Sequence, residues 1–220
     1  MTALYGSVRR LLLSITGCVA VTSLGYGAQP PDVVVSDAYG NTAMGTNALF
    51  SVTYGNSNTA AGHDALYYNT TGDFNAAFGH GRSCINMTGS HNSAFGGEAL
   101  ESNSTGQANA AFGTAALVYN NADNNTGLGT YALFSNTSGG ENTASGASAL
   151  ASNTTGSYNT ASGYKSLYSN THGNVNAALG EASLYNNTSG SSNAVVGYGA
   201  LYRNSAGSNN IAWERSPDSM

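Results

Sequence analysis

Charge is scarce in this sequence. Only 8% of its 220 residues are Asp, Glu, Lys or Arg, and the formal net charge is -5 with six Lys plus Arg. A nucleic-acid-binding surface needs a basic stripe to neutralise phosphates, so the composition argues against that class of partner. Cysteine is nearly absent as well, with Cys18 and Cys84 alone. If export processing removes the chain beyond Cys18, Cys84 is the only thiol left and no disulfide can form within the chain. The fold must then be held by stacking. The apolar stretch Leu11-Leu12-Leu13-Ser14-Ile15 is too short, and the chain too glycine-rich past Gly17, for a membrane-spanning helix.

Arg9 and Arg10, that apolar stretch and a small-residue zone reaching Ala28 read together as an export signal over residues 1–28. Ile15-Thr16-Gly17-Cys18 also resembles a bacterial lipobox, which would make Cys18 an acylated N-terminus and would supply the one link to a membrane. Ordinary cleavage between Ala20 and Ala28 is the other reading. Residues 29–40, with Pro30-Pro31 and then Val33-Val34-Val35, read as a linker entering an N-terminal capping strand.

What the chain has in abundance is glycine, at 29, with Asn, Ser, Thr and Ala. They are arranged periodically. The phrase N-T-A-x-G-x-x-A-L-x-x-N-T-T-G-x-x recurs ten times over residues 41–209, from Asn41, Asn58, Asn75, Asn92, Asn109, Asn125, Asn142, Asn159, Asn176 and Asn193. The fifth copy is one residue short in its Asn120-Asn121-Ala122-Asp123-Asn124 stretch. A fixed period of this length signals a solenoid in which each copy is one coil, too small to fold alone. Helix is a poor reading, because every copy carries Gly together with several of Asn, Ser and Thr. The expected fold is therefore all-β, a parallel β-solenoid or β-roll of about ten 17-residue coils. Each coil would hold two short strands and two corners.

The first strand is expected at N-T-A-x and ends at a glycine present in every copy, including Gly62, Gly129, Gly163 and Gly197. Such a glycine implies a positive φ or a backbone approach that leaves no room for a Cβ. The second strand is expected to contain A-L-x, whose Leu66, Leu133, Leu167 and Leu201 belong to a column occupied in nine copies and read as the core ladder. Asn58, Asn125, Asn159 and Asn193, with the second Asn column from Asn69 to Asn204, read as stacked amide ladders serving turn backbone groups, a polar recognition face being the alternative. Third positions are small and fourth positions vary, Phe78, Phe95, Phe112 and Leu128 against Ser145 and Ser162. Adjacent strand residues point to opposite faces, so one of the two sets meets something other than the coil core, and another protomer is the natural candidate. Tyr67, Tyr168, Tyr185 and Tyr202 recur after the Leu column, packing between coils or lining an outer face.

The search for chemistry returns little. His63, His80, His91 and His172 stand at differing phases with no paired carboxylate or nucleophile elbow, so no catalytic residue, cofactor or metal is assigned and the chain reads as non-enzymatic. A zinc cluster of His80, Cys84 and His91 in the deviant third copy is weaker than sequence drift there. Gly127-Leu128-Gly129-Thr130-Tyr131-Ala132 matches a dinucleotide fingerprint only because repeat phase supplies the glycines. N-T-T and N-T-S glycosylation matches at Asn69, Asn136, Asn153 and Asn187 recur for the same reason.

Asn125-Thr126-Gly127-Leu128-Gly129 and Asn193-Ala194-Val195-Val196-Gly197 carry a family likeness. The phrase resembles the head repeats of YadA-like trimeric autotransporter adhesins, and related repeats occur in tail-fibre-like proteins. The resemblance implies a homotrimer of left-handed β-rolls at a cell surface, outer membrane or extracellular fibre, mediating adhesion to a host-surface, matrix or glycan ligand. The chain shows no heptad stalk, barrel anchor or chaperone domain, and its repeat is longer than the family's commonest one. Residues 210–220 begin an eleventh copy and then leave the pattern at Trp213, an incomplete repeat or a C-terminal cap. The alternative reading is a monomeric secreted or lipid-anchored solenoid binding a flat surface such as ice or glycan.

Overall fold

The computed structural model describes residues 35–80 and 86–213. The export signal, Cys18, the start of the linker, Cys84 and residues 214–220 lie outside them. The chain is all-β, and its strands are β1 (Val35–Ser36), β2 (Thr42–Met44), β3 (Thr59–Ala61), β4 (Ala76–Phe78), β5 (Ser93–Phe95) and β6 (Ala110–Phe112). They continue as β7 (Thr126–Leu128), β8 (Thr143–Ser145), β9 (Thr160–Ser162), β10 (Ala177–Leu179), β11 (Ala194–Val196) and β12 (Ile211–Trp213). All twelve form one sheet in sequence order. β2 to β12 run parallel and in register, third position on third position, while β1 returns antiparallel on β2 and covers that edge. The chain is a parallel β-solenoid of about ten turns, each turn placing its strand beside the last.

Among the described residues the expected second strand is absent. The segment from the sixth to the eleventh position is a run of turns, and its leucines take the left-handed backbone region, for example Leu66 at φ 51°, Leu133 at 52° and Leu167 at 51°. The seventh and seventeenth positions do the same, as Tyr131 at 59° and Val175 at 58° illustrate. Left-handed residues bend the chain round a tight coil while its peptide groups still point along the stack: Lys165 N donates to Ala147 O of the preceding coil at 3.0 Å, and Leu167 N to Ser183 O of the next at 2.9 Å. A non-glycine residue in this region costs about 1–2 kcal/mol, and burying a leucine side chain returns about 1.5–3 kcal/mol. Burial decides the residue at the ninth position, because glycine would remove the strain and the core together.

That core is thin. Leu117, Leu133, Leu150, Leu167 and Leu184 are fully buried against third-position Ala111, Ala144, Ala161 and Ala178 and eighth-position Ala116, Ala132 and Ala149. At Ser166 and Ser183 the eighth position is polar and satisfied inside: their hydroxyls lie 2.9 Å apart and share two protons among that contact, Ala178 O and Gly180 O.

Two amide ladders complete the coil. Asn159 is representative of the first: its N–H and its Nδ2 donate to Asn142 Oδ1 of the preceding coil at 3.0 and 3.1 Å, and Nδ2 also donates to Gly173 O of its own coil at 2.8 Å. The second ladder runs alongside, with Asn170 Nδ2 donating to Asn153 Oδ1 at 2.8 Å and to the same Gly173 O at 3.0 Å. Both asparagines of a coil therefore converge on one glycine carbonyl and tie the end of the coil to its beginning. That glycine cannot carry a side chain, since a Cβ on Gly173 would lie 2.4 Å from both Asn170 Oδ1 and Gly190 O. At the fifth position, glycine in every copy, stacking excludes a side chain: Gly163, at φ +133°, would put a Cβ 2.6 Å from Gly180 C and O.

The shortened fifth copy fits because Ala122 takes over the glycine's part, its carbonyl accepting from Asn109 at 2.9 Å and Asn120 at 2.8 Å. The cost is local. Asn125 Nδ2 turns to Asn120 Oδ1, and Asn103 Oδ1 is left buried without a hydrogen-bond partner.

Candidate functional site

Two of the solenoid's surfaces carry ordered columns of side chains, the sheet and the turns at the sixth to eleventh positions. On the sheet, third positions point inward and the second and fourth point out, which resolves the parity that the sequence leaves open. The fourth-position side chains form a ridge. Phe78, Phe95 and Phe112 stack at 4.8 Å per coil with interplanar angles of 9° and 5°, and Leu128 continues the line. Phe78, Phe112, Leu128, Leu179 and Val196 are 37 to 43% exposed, large apolar groups held in water by a flat, regular backbone. Beside them the second position is Thr, Ser or Ala from β2 to β11, so nothing bulky flanks the ridge. Two coils interrupt it: Thr143, Ser145, Thr160 and Ser162 present hydroxyls instead.

The turn surface carries the aromatic column. Tyr168, Tyr185 and Tyr202 stack at 5.1 and 4.9 Å, so they pack on one another between coils and also face out. Lys165 Nζ lies 5.1 Å from the Tyr164 ring centroid and 5.7 Å from that of Tyr168. A hydrogen bond with Tyr164 raises its pKa above the ordinary lysine value, with further electrostatic contributions from Tyr164, Tyr185 and Tyr168 that outweigh desolvation.

The singled-out ladder residues are structural parts of the coil. Asn58, Asn125, Asn159 and Asn193 are at most 1% exposed, which removes the polar recognition face as a use for that column. Gly62, Gly129, Gly163 and Gly197 have φ between +130° and +137°, and Leu66, Leu133 and Leu167 line the core while Leu201, in the last full coil, packs at its margin. The threonines of N-T-T are also engaged. Thr137, Thr154 and Thr171 donate their hydroxyls to the carbonyl one coil ahead at 2.9 to 3.0 Å, which leaves them no free proton for an outer ligand.

Of the residues considered for zinc, His80 stacks on His63 at 5.4 Å and His91 on Phe74 at 5.2 Å, in separate columns, and Cys84 is outside the described residues. Among the described residues no three His, Cys, Asp or Glu side chains gather.

Two devices have weak sequence signatures. At the sixteenth position, side-chain oxygens of Asp73, Ser90, Asp123, Ser157, Asn174 and Ser191 each accept the N–H of the same position one coil earlier, for example Ser157 N to Asn174 Oδ1 at 2.8 Å. The common chemistry is an acceptor rather than a residue type. At the N-terminal edge Asp37 accepts from Asn41 N and Asn41 Nδ2, both at 2.9 Å, standing in for the asparagine of a preceding coil.

No protein-family model, curated protein or solved structure matches the chain.

Proposed function

We propose that this protein is a non-enzymatic structural rod of a cell-surface or extracellular fibre, in which three parallel chains pack through their sheets to form the head or shaft of an adhesive assembly. The observation that carries the reading is the outward ridge of Phe78, Phe95, Phe112 and Leu128 on a flat parallel sheet. A contiguous exposed apolar strip marks an interaction surface, and the small second-position residues let a like sheet approach it closely. The resemblance of the repeat to adhesin head repeats supplies the three-fold arrangement and a left-handed coil. Export and surface display follow from the reading of residues 1–28, with attachment to a membrane only if Cys18 is lipidated. The outer ligand in this reading is a host-surface, matrix or glycan component.

Sedimentation of the native chain tests the assembly. Three chains per particle are expected, falling to one in Phe112→Asp, whose side chain is solvent-tolerant in a lone coil but not against a second sheet. A native chain sedimenting as a strict monomer overturns the trimer.

One observation favours a second reading, a monomeric secreted or lipid-anchored solenoid binding a flat surface such as ice or glycan. Thr143, Ser145, Thr160 and Ser162 place hydroxyls side by side on the sheet. A thermal-hysteresis measurement distinguishes it, and no hysteresis in a monomeric protein removes ice as the surface.

A further inference from the structure

The turn surface carries an ordered charge pattern. Coils are numbered from the copy starting at Asn41 as coil 1 to the copy starting at Asn193 as coil 10. Lys165 in coil 8 and Arg203 in coil 10 are the only Lys or Arg among the described residues. On the same surface, Glu98 and Glu101 stand in coil 4 and Asp64 in coil 2. Coils 4 and 8 lie two coils either side of coil 6, and coils 2 and 10 lie four either side of it. Both opposite-charge sets are thus centred on the same coil.

Lys165 and Glu98 both occupy the seventh position, with Glu101 at the tenth, while Asp64 occupies the seventh and Arg203 the eleventh. In coil 6 the seventh and tenth positions are Tyr131 and Phe134, whose rings meet edge-on at 5.5 Å, with Tyr131 48% exposed. A two-fold axis lying in the plane of contact and crossing the stack at coil 6 turns a second copy antiparallel and sets equal coil positions opposite each other, Lys165 of one copy against Glu98 of the other and Tyr131 against Tyr131. In a two-fold contact each pair occurs twice, so a single self-complementary patch supplies two Lys165–Glu98 pairs around an aromatic centre.

We propose that this turn surface pairs with a second copy of the chain in antiparallel orientation about a two-fold axis at coil 6, with Lys165 of one copy against Glu98 and Glu101 of the other. This contact uses the opposite surface chemistry from the apolar sheet ridge and does not depend on the trimer. Lone rods would join as dimers, and trimeric rods would join side by side. At about 4.8 Å per coil the Lys165–Glu98 pairs fall roughly 10 Å from the axis. A strip some 40 Å long and 10 Å wide covers about 400 Å² per chain, below the range of stable specific complexes, so the pairing is weak and reversible. Asp64 already holds His63 at 3.2 Å and accepts from Asn47 at 2.9 Å, which makes the coil 4 to coil 8 pairs the ones to test.

The test is charge exchange read by sedimentation at low salt. Lys165→Glu gives a chain in which all these contacts repel, and Glu98→Lys with Glu101→Lys gives the converse. The seventh position accepts both residue types natively, Glu98 at φ 61° and Lys165 at φ 54°, so neither change strains the coil. The native chain is expected at least to double its particle mass reversibly as concentration rises, growing further where the unit is a trimer with three such surfaces, and to lose the gain at high salt. Each variant alone is expected not to double, and an equimolar mixture of the two is expected to regain it, because every contact in the mixed pair is then attractive. The unit that doubles, one chain or three, reports separately on the proposed trimer. Absence of doubling in the native chain, doubling in either variant alone, or a mixture that stays undoubled would each overturn the proposal.

Discussion

Replacing Asn159 by Asp changes one atom of a fully buried side chain and reverses half of its hydrogen-bonding capacity. As an amide, Asn159 uses Oδ1 to accept from Asn176 N at 3.0 Å and Asn176 Nδ2 at 3.1 Å. It uses Nδ2 to donate to Gly173 O at 2.8 Å and Asn142 Oδ1 at 3.1 Å. A carboxylate can keep the first pair but sets an unprotonated oxygen against two acceptors in a site closed to water. A carboxylic acid recovers one of the two donations. The folded state therefore holds this carboxyl protonated, with its pKa raised above the ordinary value of about 3.9. Below the unfolded value both states are protonated and the penalty is smallest, roughly one lost hydrogen bond of about 1 kcal/mol. As pH rises towards the folded pKa, stability is lost at about 1.36 kcal/mol per unit, reaching about 3–5 kcal/mol near neutrality. Asp37 shows why the same residue is acceptable at the edge: there only the accepting half is needed, and water reaches the other side. The assay is urea unfolding of native and Asn159→Asp chains followed by circular dichroism at a series of pH values. A difference in midpoint that is independent of pH, or that shrinks as pH rises, would refute the account of the ladder.

Gly163→Ala is expected to cost more than about 3 kcal/mol, because its Cβ would lie 2.6 Å from Gly180 C and O, whereas Gly199→Ala, with nothing within 4 Å at φ +63°, should cost about 1 kcal/mol; thermal unfolding of the two separates steric exclusion from backbone strain. Leu133→Ala removes a fully buried rung and should lower stability by about 3 kcal/mol in a urea titration. The sequon residues Asn136, Asn153 and Asn187 are fully buried and donate through the atom that glycosylation would modify, so folded protein from a glycosylating host is expected to show the unmodified mass at these sites by peptide mass spectrometry.

Much of the coil is legible in the sequence because its tightest constraints admit one residue type each. A glycine at the fifth position is forced by the backbone of the next coil, and an asparagine at the first is the side chain that both donates to Gly173 and accepts from Asn176 in the same plane. The second strand expected around A-L-x was misplaced for a physical reason. Leucine favours ordinary backbone regions, and nothing in its identity announces that Leu133 or Leu167 is held at φ 51 to 52° by neighbouring coils. The sixteenth-position ladder hides differently, since Asn174, Ser157 and Asp73 share an acceptor atom and no letter. The outer surface is the least legible part. Position parity separates Phe112 from Ala111, but the two-fold relation of Lys165 and Glu98 emerges only when coil number and position are taken together.

The most direct test of the central claim is the particle mass of the native chain at high salt, where pairing through the charged turn surface is suppressed and only the apolar sheet contact remains. A rod joined through its Phe78 to Leu128 ridge is predicted to sediment as three chains. A single chain per particle under those conditions would contradict it.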